Sequence, residues 1–427
     1  MYSTPFTNFK HADASVLLSY IGDLQAYFDK REPGVLAYVP ENRRFERLRR
    51  EARSMLALYP DPVRRPPLFG VPVGVKDIFH VDGFVTRAGS EVPVALLQGT
   101  EAESVRRLKE AGALIMGKTV TTEFAYFAPG PTRNPHNPAH TPGGSSSGSA
   151  AAVGAGLCPL ALGTQTIGSI TRPAAFSGVV GYKPTYDRIS RAGVVPLSPS
   201  VDHIGVFGRD VHWVASAAAV LVEAWDSAAA VRQPECARIG VPTGDYLQSA
   251  AVSGRAHFRA TCDQLAKAGF EIKSVASMPD FDAICTRHNL LVAAEAARVH
   301  AQWFAQHGNC YQAKTVELIE LGQTISHGDL VAALDGRGQL RTALTALMEA
   351  HHIDVWISPS ARGAAPEGLD STGDPVMNLP WTHSGLPTVG LPSGKDAGGL
   401  PFGLQLAARF GADETLLAWA AQIEEVL

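Results

Sequence analysis

Serine and glycine residues are concentrated in one stretch of this 427-residue chain. The run TPGGSSSGSAAAVGAG (141–156) places three serines in a row after two glycines, and another serine follows in TIGSITRP (166–173). A serine hydroxyl attacks a carbonyl group when a base takes its proton and backbone N–H groups stabilise the oxyanion that forms. These serines therefore indicate nucleophilic catalysis.

Three other kinds of glycine- and serine-rich loop fit the run less well. A flexible linker would not continue directly into the helix-forming segment AAAVGAG between strand-like runs. A P-loop needs a lysine followed by serine or threonine after its last glycine, whereas Gly148 is followed by Ser149 and Ala150. The dinucleotide-binding pattern GxGxxG lacks its third glycine after Gly154 and Gly156.

The base that would activate a serine is not evident among the fourteen histidines. Neither GxSxG nor HExxH occurs. Lys76 is the alternative, because it lies inside the apolar segment GVPVGVKDIF (70–79), where burial lowers a lysine pKa. Keeping an amine of ordinary pKa neutral near pH 7 costs about 4 kcal/mol. A buried ion pair of Lys76 with Asp77 or another acid explains the same pattern, and the local sequence favours neither.

Alternating helices and strands must position these residues. Helical periodicity predicts two N-terminal helices, in ASVLLSYIGDLQAYF and ENRRFERLRREARSMLALY. A third helix is predicted in TEAESVRRLKEAGA, where Thr100 and Glu103 have capping-box spacing. Apolar runs predict short buried strands in GVPVGVKDIF, LIMGKT, CPLALGTQT, GVVGYKP, RIGVPT, FEIKSV, DVWISP, PTVGLP and PFGLQLAA. Further helices are predicted at 211–224, 250–268, 283–306, 328–350 and 413–427.

The chain has neither an internal repeat nor a linker that would divide it. We therefore expect one large α/β domain over 1–427, with a mixed, mostly central β-sheet covered by helices on both faces. Its expected parts are N-terminal helices in 1–60, a core in 65–210, a helical insertion or cap at about 230–350, and a return to the core in 354–427.

Composition limits the classes of partner. The net charge of −4 and the lack of a long basic block give no electrostatic footprint for nucleic acid or an anionic membrane. The five cysteines are scattered without a CxxC pair, which favours neither disulfides nor a zinc site. Because no signal peptide or membrane-spanning run is present, we expect a cytoplasmic protein with a small-molecule substrate.

Four motifs, in this order, resemble those of the amidase signature family. They are GVPVGVKDIF, TRNPHNPAHTPGGSSSGSAAAVGAG, LGTQTIGSITRPAAFSGVVGYKPT and, near the C-terminus, WTHSGLPTVGLPSG with GLPFGLQLAARFG. Together they cover most of 65–210 and 354–411. The resemblance implies the amidase signature fold and a Ser-cisSer-Lys triad that needs no metal or cofactor.

The resemblance also assigns the catalytic roles. Lys76, Ser145 and Ser169 carry the triad, in which Ser169 attacks the amide and Ser145 passes the proton to neutral Lys76. The Gly144–Ser145 peptide bond is implied to be cis. The backbone N–H groups of Thr166, Ile167, Gly168 and Ser169 are implied to form the oxyanion hole.

Departures from the family pattern bear on the substrate. Many members have glycine where this chain has Ile167, and aspartate where it has Gln165. The side chain of Ile167 leaves the geometry of the oxyanion hole open. Arg172 lies three residues after the nucleophile rather than two, which is similar to the malonamidase-like branch, where the corresponding arginine holds a substrate carboxylate. Alternatively, Arg172 pairs with a protein acid or caps carbonyls.

Three further residues complete the expected substrate site: Gly144, Tyr126 and Trp381. Core packing accounts slightly better than a pocket wall for the two aromatic side chains.

The resemblance therefore implies an amidohydrolase that cleaves a small linear carboxylic amide through a seryl acyl-enzyme, on a substrate carrying a carboxylate or polar group. A homodimer is compatible with it. One alternative is the glutaminase subunit of a tRNA-dependent amidotransferase, which works in a heteromeric complex. Others are a hydrolase of a urea-like compound such as biuret or allophanate, and a binding protein that has kept the fold without catalysis.

Overall fold

A ten-stranded sheet runs through the computed structural model, which describes residues 9–231 and 235–427. The strands follow the predicted apolar runs, with one addition. They are β1 (Pro72–Lys76), β2 (Leu114–Thr119), β3 (Leu160–Gln165), β4 (Val180–Lys183), β5 (His203–Gly208), β6 (Ile239–Thr243), β7 (Ile272–Ala276), β8 (Val355–Pro359), β9 (Thr388–Lys395) and β10 (Pro401–Ala407).

The sheet is mixed, as expected. Its spatial order is β2-β1-β3-β5-β4-β9-β10-β8-β6-β7. The pairs at the two ends of the sheet are parallel, and the five pairs from β3 through β5, β4, β9 and β10 to β8 are antiparallel. The C-terminal strands β9 and β10 thus join the two halves.

Helices flank the sheet. They are α1 (Ala14–Arg31), α2 (Arg44–Leu58), α3 (Glu103–Glu110), α4 (Ser147–Gly154), α5 (Thr171–Ser177), α6 (Val211–Leu221), α7 (Ser227–Val231), α8 (Asp245–Gln248), α9 (Val252–Lys267), α10 (Phe281–His307), α11 (Ala313–Thr324), α12 (His327–Ala350), α13 (Leu379–Ser384) and α14 (Asp413–Glu424). The helices α11 and α12 both pack on the long helix α10, and α13 packs against α10 and α12.

Side-chain alternation along β3 shows why both faces of the sheet are covered. Leu160 and Leu162 belong to the apolar cluster that includes α3, α6 and α14, whereas Ala161 belongs to the cluster that includes α1, α2 and α4. Because both sets are fully buried, this strand reads as a continuous apolar run.

Several details of the sequence prediction were wrong, and one is that α11 lies outside every predicted helix range. The strand β5 was not predicted, although it lies between β3 and β4. The capping box at Thr100 is also absent: α3 begins at Glu103 after Ala102, which has no side-chain cap, and the Glu103 N–H donates to the Ala192 carbonyl at 3.1 Å. A backbone contact therefore replaces the expected hydroxyl.

The helices of the described residues include none that combines the length and the apolar character needed to cross a lipid bilayer.

Candidate active site

Two parallel strands bring the expected catalytic residues to one edge of the sheet. Lys76 is the last residue of β1, and its neighbour β3 runs parallel to it, with Val75 opposite Leu162. The carboxyl ends of parallel neighbours meet at the same edge of a sheet. Ser145 lies just before α4, and Ser169 lies in the turn between β3 and α5.

Lys76 is fully buried and makes two hydrogen bonds. Its Nζ lies 2.8 Å from Ser145 Oγ and 2.8 Å from Thr164 Oγ1. Burial lowers the pKa of the Lys76 amine well below its ordinary value, and the negative charge of Asp202 opposes this effect. The site therefore favours an uncharged amine that can accept a proton from Ser145.

The ion pair of Lys76 with Asp77, which the sequence left open, does not form. Asp77 Oδ1 lies 2.7 Å from Lys118 Nζ, and both side chains are buried. Among the described residues, no acid lies within ion-pair distance of Lys76. The Asp77 carboxylate is thus paired with Lys118, and Lys76 contacts only hydroxyl groups, those of Ser145 and Thr164.

The serine run is a packed turn. The Gly144–Ser145 peptide bond is cis. Ser146 Oγ donates to the Thr164 carbonyl at 3.1 Å, and Ser149 Oγ donates to the Leu162 carbonyl at 2.8 Å. Two of the neighbouring serines therefore fasten the segment to β3, and the linker interpretation is wrong.

Ser169 lines a small cavity of about 10 Å³. The expected oxyanion-hole residues Thr166, Ile167 and Gly168 line the same cavity. Within the described chain, none of the four backbone N–H groups from Thr166 to Ser169 has a protein acceptor, so they are available to an oxyanion. No hydrogen bond joins Ser169 Oγ to Ser145 in this part of the chain, so that link of the relay stays a prediction.

The loop at 166–169 is held in place by Thr382 of α13. Thr382 Oγ1 donates to the Ile167 carbonyl at 2.6 Å and accepts a hydrogen bond from Gln165 Nε2 at 2.9 Å. A Cβ atom at Gly168 would lie 2.4 Å from Asn378 Oδ1. Only glycine fits at position 168 without moving the segment that holds the loop.

Gln165 also fixes the start of α5. Its Oε1 accepts the N–H groups of Ile170 at 2.8 Å and Thr171 at 3.0 Å. One end of the amide therefore accepts hydrogen bonds while the other donates to Thr382, and a carboxylate at this position could only accept. Glutamine at this position thus couples the turn that contains Ser169 to α13.

Arg172 is buried on the wall of the Ser169 cavity. Its Nη2 donates to the Gly144 carbonyl at 2.7 Å and to Thr372 Oγ1 at 3.1 Å. Its Nε and Nη1 have no hydrogen-bond partner among the described residues, and no acid in them pairs with it. Burial lowers the pKa of the guanidinium to about 9, against the opposing charge of Asp374. Arg172 therefore stays a cation at neutral pH, with two buried donors to spare.

Of the other residues expected to bind substrate, Tyr126 and Gly144 lie at the site and Trp381 does not. Tyr126 is half-buried and lines the cavity. Gly144 contributes its carbonyl to Arg172. Trp381, in contrast, is fully buried in the core and donates its indole N–H to Tyr246 at 2.7 Å. The structure thus places Trp381 in the packing behind the site and not on the cavity wall.

Sequence reasoning missed Thr164 and Thr382. Thr164 was detectable, because a threonine interrupts the apolar strand CPLALGTQT close to the expected oxyanion hole. Thr382 contacts residues more than 200 positions away, and the local sequence gives no sign of this. Among the described residues, no group of three or more His, Cys, Asp or Glu side chains is arranged to hold a metal ion.

Comparison with known proteins identifies the family. The sequence matches the Amidase family over residues 42–417. The chain belongs to the amidase signature family. The A subunit of glutamyl-tRNA(Gln) amidotransferase from Synechococcus sp. (strain RCC307) is 33% identical to it over 412 residues, or 84% of each chain.

Solved structures of amidases share the fold. A crystal structure of an amidase has a TM-score of 0.86 and 31% identity, and the alignment covers 97% of this chain and 96% of the other. The peptide amidase from Stenotrophomonas maltophilia has a TM-score of 0.78 and 26% identity, with 97% and 93% covered. The protein is a hydrolase of carbon–nitrogen bonds in amides.

Proposed function

We propose that the protein hydrolyses small linear amides that carry a carboxylate or another polar group, as in the malonamidase-like branch, through an acyl-enzyme on Ser169. The observation that carries this proposal is the 2.8 Å contact between Ser145 and Lys76, a buried amine without an acid partner among the described residues. Such an amine is a base that a hydroxyl relay can use at neutral pH.

The chemical steps follow from this arrangement. Ser169 Oγ attacks the amide carbonyl carbon while its proton passes to Ser145 Oγ, whose own proton passes to Lys76 Nζ. The oxyanion accepts hydrogen bonds from the backbone N–H groups of the loop at 166–169. The carbon–nitrogen bond then breaks as the proton returns through Ser145 to the leaving nitrogen. Water attacks the ester by the same relay and releases the carboxylic acid and free Ser169.

Arg172 supports the preference for a carboxylate. Arg172 lines the same cavity as Ser169, and two nitrogen atoms of its buried guanidinium, Nε and Nη1, have no hydrogen-bond partner among the described residues, so they can donate charge-assisted hydrogen bonds to a carboxylate. Burying a cation without a counter-ion is costly, and a substrate carboxylate would supply the missing charge. The carbonyl-capping role also exists, since Gly144 accepts one hydrogen bond, but it uses only Nη2.

A serine-directed fluorophosphonate tests the chemistry. We expect the reagent to label the Ser169 peptide of the wild-type protein, and labelling to be lost in Ser169→Ala and Lys76→Met. Lys183→Met is the matched control, because Lys183 is also fully buried with a lowered pKa but bonds to the Pro184 and Leu386 carbonyls. Label on another serine, or equal loss in the control when both proteins are folded, would refute the mechanism.

A substrate pair tests the role of Arg172. We expect Arg172→Met to lower kcat/KM for malonamate by at least about a hundredfold, as the loss of a charge-assisted hydrogen-bond pair predicts, and to change the value for propanamide much less. Equal losses for the anionic and the neutral amide would show that Arg172 does not recognise the carboxylate.

The alternative role as a glutaminase subunit is favoured by one observation. The curated relative described above is named as the A subunit of a glutamyl-tRNA(Gln) amidotransferase. If this chain had that role, it would turn over glutamine only with its partners. Gel filtration of the isolated protein, followed by assays with glutamine, malonamate and biuret, separates that role from a free-standing amidase and from a urea-like substrate.

A further inference from the structure

A second hollow adjoins the site at Ser169 and is much larger. Its volume is about 210 Å³, compared with about 10 Å³ at Ser169. Three residues line both spaces: Ala125, Thr166 and Leu197. Since the smaller cavity holds about one water-sized group, the body of a substrate must extend into neighbouring space.

The lining of this hollow is aliphatic. Ile78 and Ile204 come from the sheet side, and the segment 194–199 adds valine, proline and Leu197. For comparison, a buried apolar cavity of about 150 Å³ binds benzene. The space therefore suits an apolar group of the size of a phenyl ring or slightly larger.

The polar groups on its wall are already satisfied. Asp202 accepts hydrogen bonds from Thr166 Oγ1 at 2.5 Å, from the Leu197 N–H at 2.9 Å and from the Ser198 N–H at 3.0 Å. Thr164 Oγ1 is used by Lys76. A ligand in the hollow thus meets no unsatisfied hydrogen-bonding atom of Asp202 or Thr164, which favours an apolar group there.

The charge at the edge of the hollow is satisfied as well. Arg191 lies 3.1 Å from Asp187 and stacks over the ring of Tyr186 at 4.8 Å. It differs in this from Arg172, which lines the other cavity and has two nitrogen atoms without a hydrogen-bond partner among the described residues. One side of the reaction centre is therefore suited to an anion and the other to an apolar group.

We propose that the hollow is a substrate subsite for a compact apolar group, such as a phenyl or branched alkyl substituent, and that Leu197 controls access to it from Ser169. The inference rests on the proposed function, since it takes Ser169 as the reacting centre. The substrate class becomes an amide with a polar or anionic end and a compact apolar end.

Binding to a protein that cannot react tests the subsite separately from catalysis. In Ser169→Ala protein, titration calorimetry should show 3-phenylpropanamide binding at least about tenfold more tightly than propanamide, because a buried ring removes apolar surface from water. Adding Val194→Phe, which fills the hollow, should abolish this difference. Val220→Phe is the matched control, since Val220 is also partly buried in the core but does not line the hollow.

Leu197→Ala provides a second variant in the same Ser169→Ala background. It shortens the largest of the three side chains that line both spaces and should raise affinity for 3-(1-naphthyl)propanamide by about tenfold or more. Equal affinities for the phenyl and unsubstituted amides would overturn the subsite, as would a preference that survives Val194→Phe in a folded protein. Failure of the proposed function is distinct, because it would appear as absent amide turnover and absent labelling of Ser169 in the wild-type protein.

Discussion

Replacing Lys76 with methionine tests whether the buried amine is uncharged. Methionine keeps a long side chain but removes the amine and its two hydrogen bonds, to Ser145 and Thr164. On the proposed mechanism Lys76 is uncharged in the folded wild type, so folding must strip a proton from an amine of ordinary pKa, which costs about 4 kcal/mol near pH 7. The variant avoids this cost and loses about 1 kcal/mol for each hydrogen bond.

The sum gives a variant that is more stable than wild type by about 2 kcal/mol at pH 7. The sign of this stability difference between Lys76→Met and the wild type changes with pH. Because the unfolded chain binds one proton more than the folded chain in this range, wild-type stability rises by about 1.4 kcal/mol per pH unit, until the amine also deprotonates in the unfolded chain. Near pH 10 the cost falls below about 1 kcal/mol, and Lys76→Met should then be the less stable protein by about 1 kcal/mol.

Urea denaturation of both proteins at pH 7 and pH 10 measures this difference. Groups that titrate equally in both proteins cancel. Lys267→Met, at an exposed lysine, is the control and should differ from wild type by less than about 0.5 kcal/mol. A stability difference for Lys76→Met that does not change with pH would show that Lys76 is charged in the folded protein, and the proposed relay would fail.

Three more substitutions test the supporting contacts. Gln165→Glu removes the hydrogen-bond donor to Thr382, so the free energy of unfolding should fall by about 1–3 kcal/mol and fluorophosphonate labelling of Ser169 should slow. An unchanged labelling rate would contradict the coupling between Gln165 and the Ser169 turn. Gly168→Ala places a Cβ 2.4 Å from an Asn378 oxygen and should lower kcat by about a hundredfold and the free energy of unfolding by about 1–3 kcal/mol; normal kcat would show that the loop tolerates the shift. Lys118→Met leaves its carboxylate partner buried without a counter-charge and should cost about 3–5 kcal/mol in urea denaturation, whereas a loss below about 1 kcal/mol would show that the pair is not needed.

Most of the sheet could be predicted from the sequence because its strands are short apolar runs. LIMGKT corresponds to β2 over its full length, and CPLALGTQT contains all of β3. The strand β5 was missed because HIGVFG contains two glycines, which weaken a strand signal. One of them, Gly205, is required by packing, since a Cβ there would lie 2.2 Å from the Tyr182 carbonyl oxygen. The close approach of β4 to β5 therefore requires a glycine, and that glycine weakens the sequence signal of β5.

The sequence motifs predicted which residues belong to the candidate site, but they did not predict the hydrogen bonds and ion pairs among them. The motifs marked Lys76, Ser145 and Ser169, and the structure brings Lys76 and Ser145 together. Which lysine pairs with Asp77, and which hydroxyl holds the Ile167 carbonyl, depends on side chains distant in sequence. Local patterns cannot select among such partners, because packing chooses them after the elements assemble.

The order of strands in the sheet also governs when the protein can acquire its structure during synthesis. The β4 edge of the N-terminal half is completed only by β9, which pairs along it, and β9 emerges from the ribosome after the first eight strands. The Thr382 contact behind the oxyanion loop arrives equally late. Until then, the growing chain exposes an unpaired strand edge, a feature that promotes aggregation. Prematurely terminated chains that lack β9 and β10 should therefore be insoluble rather than partly active.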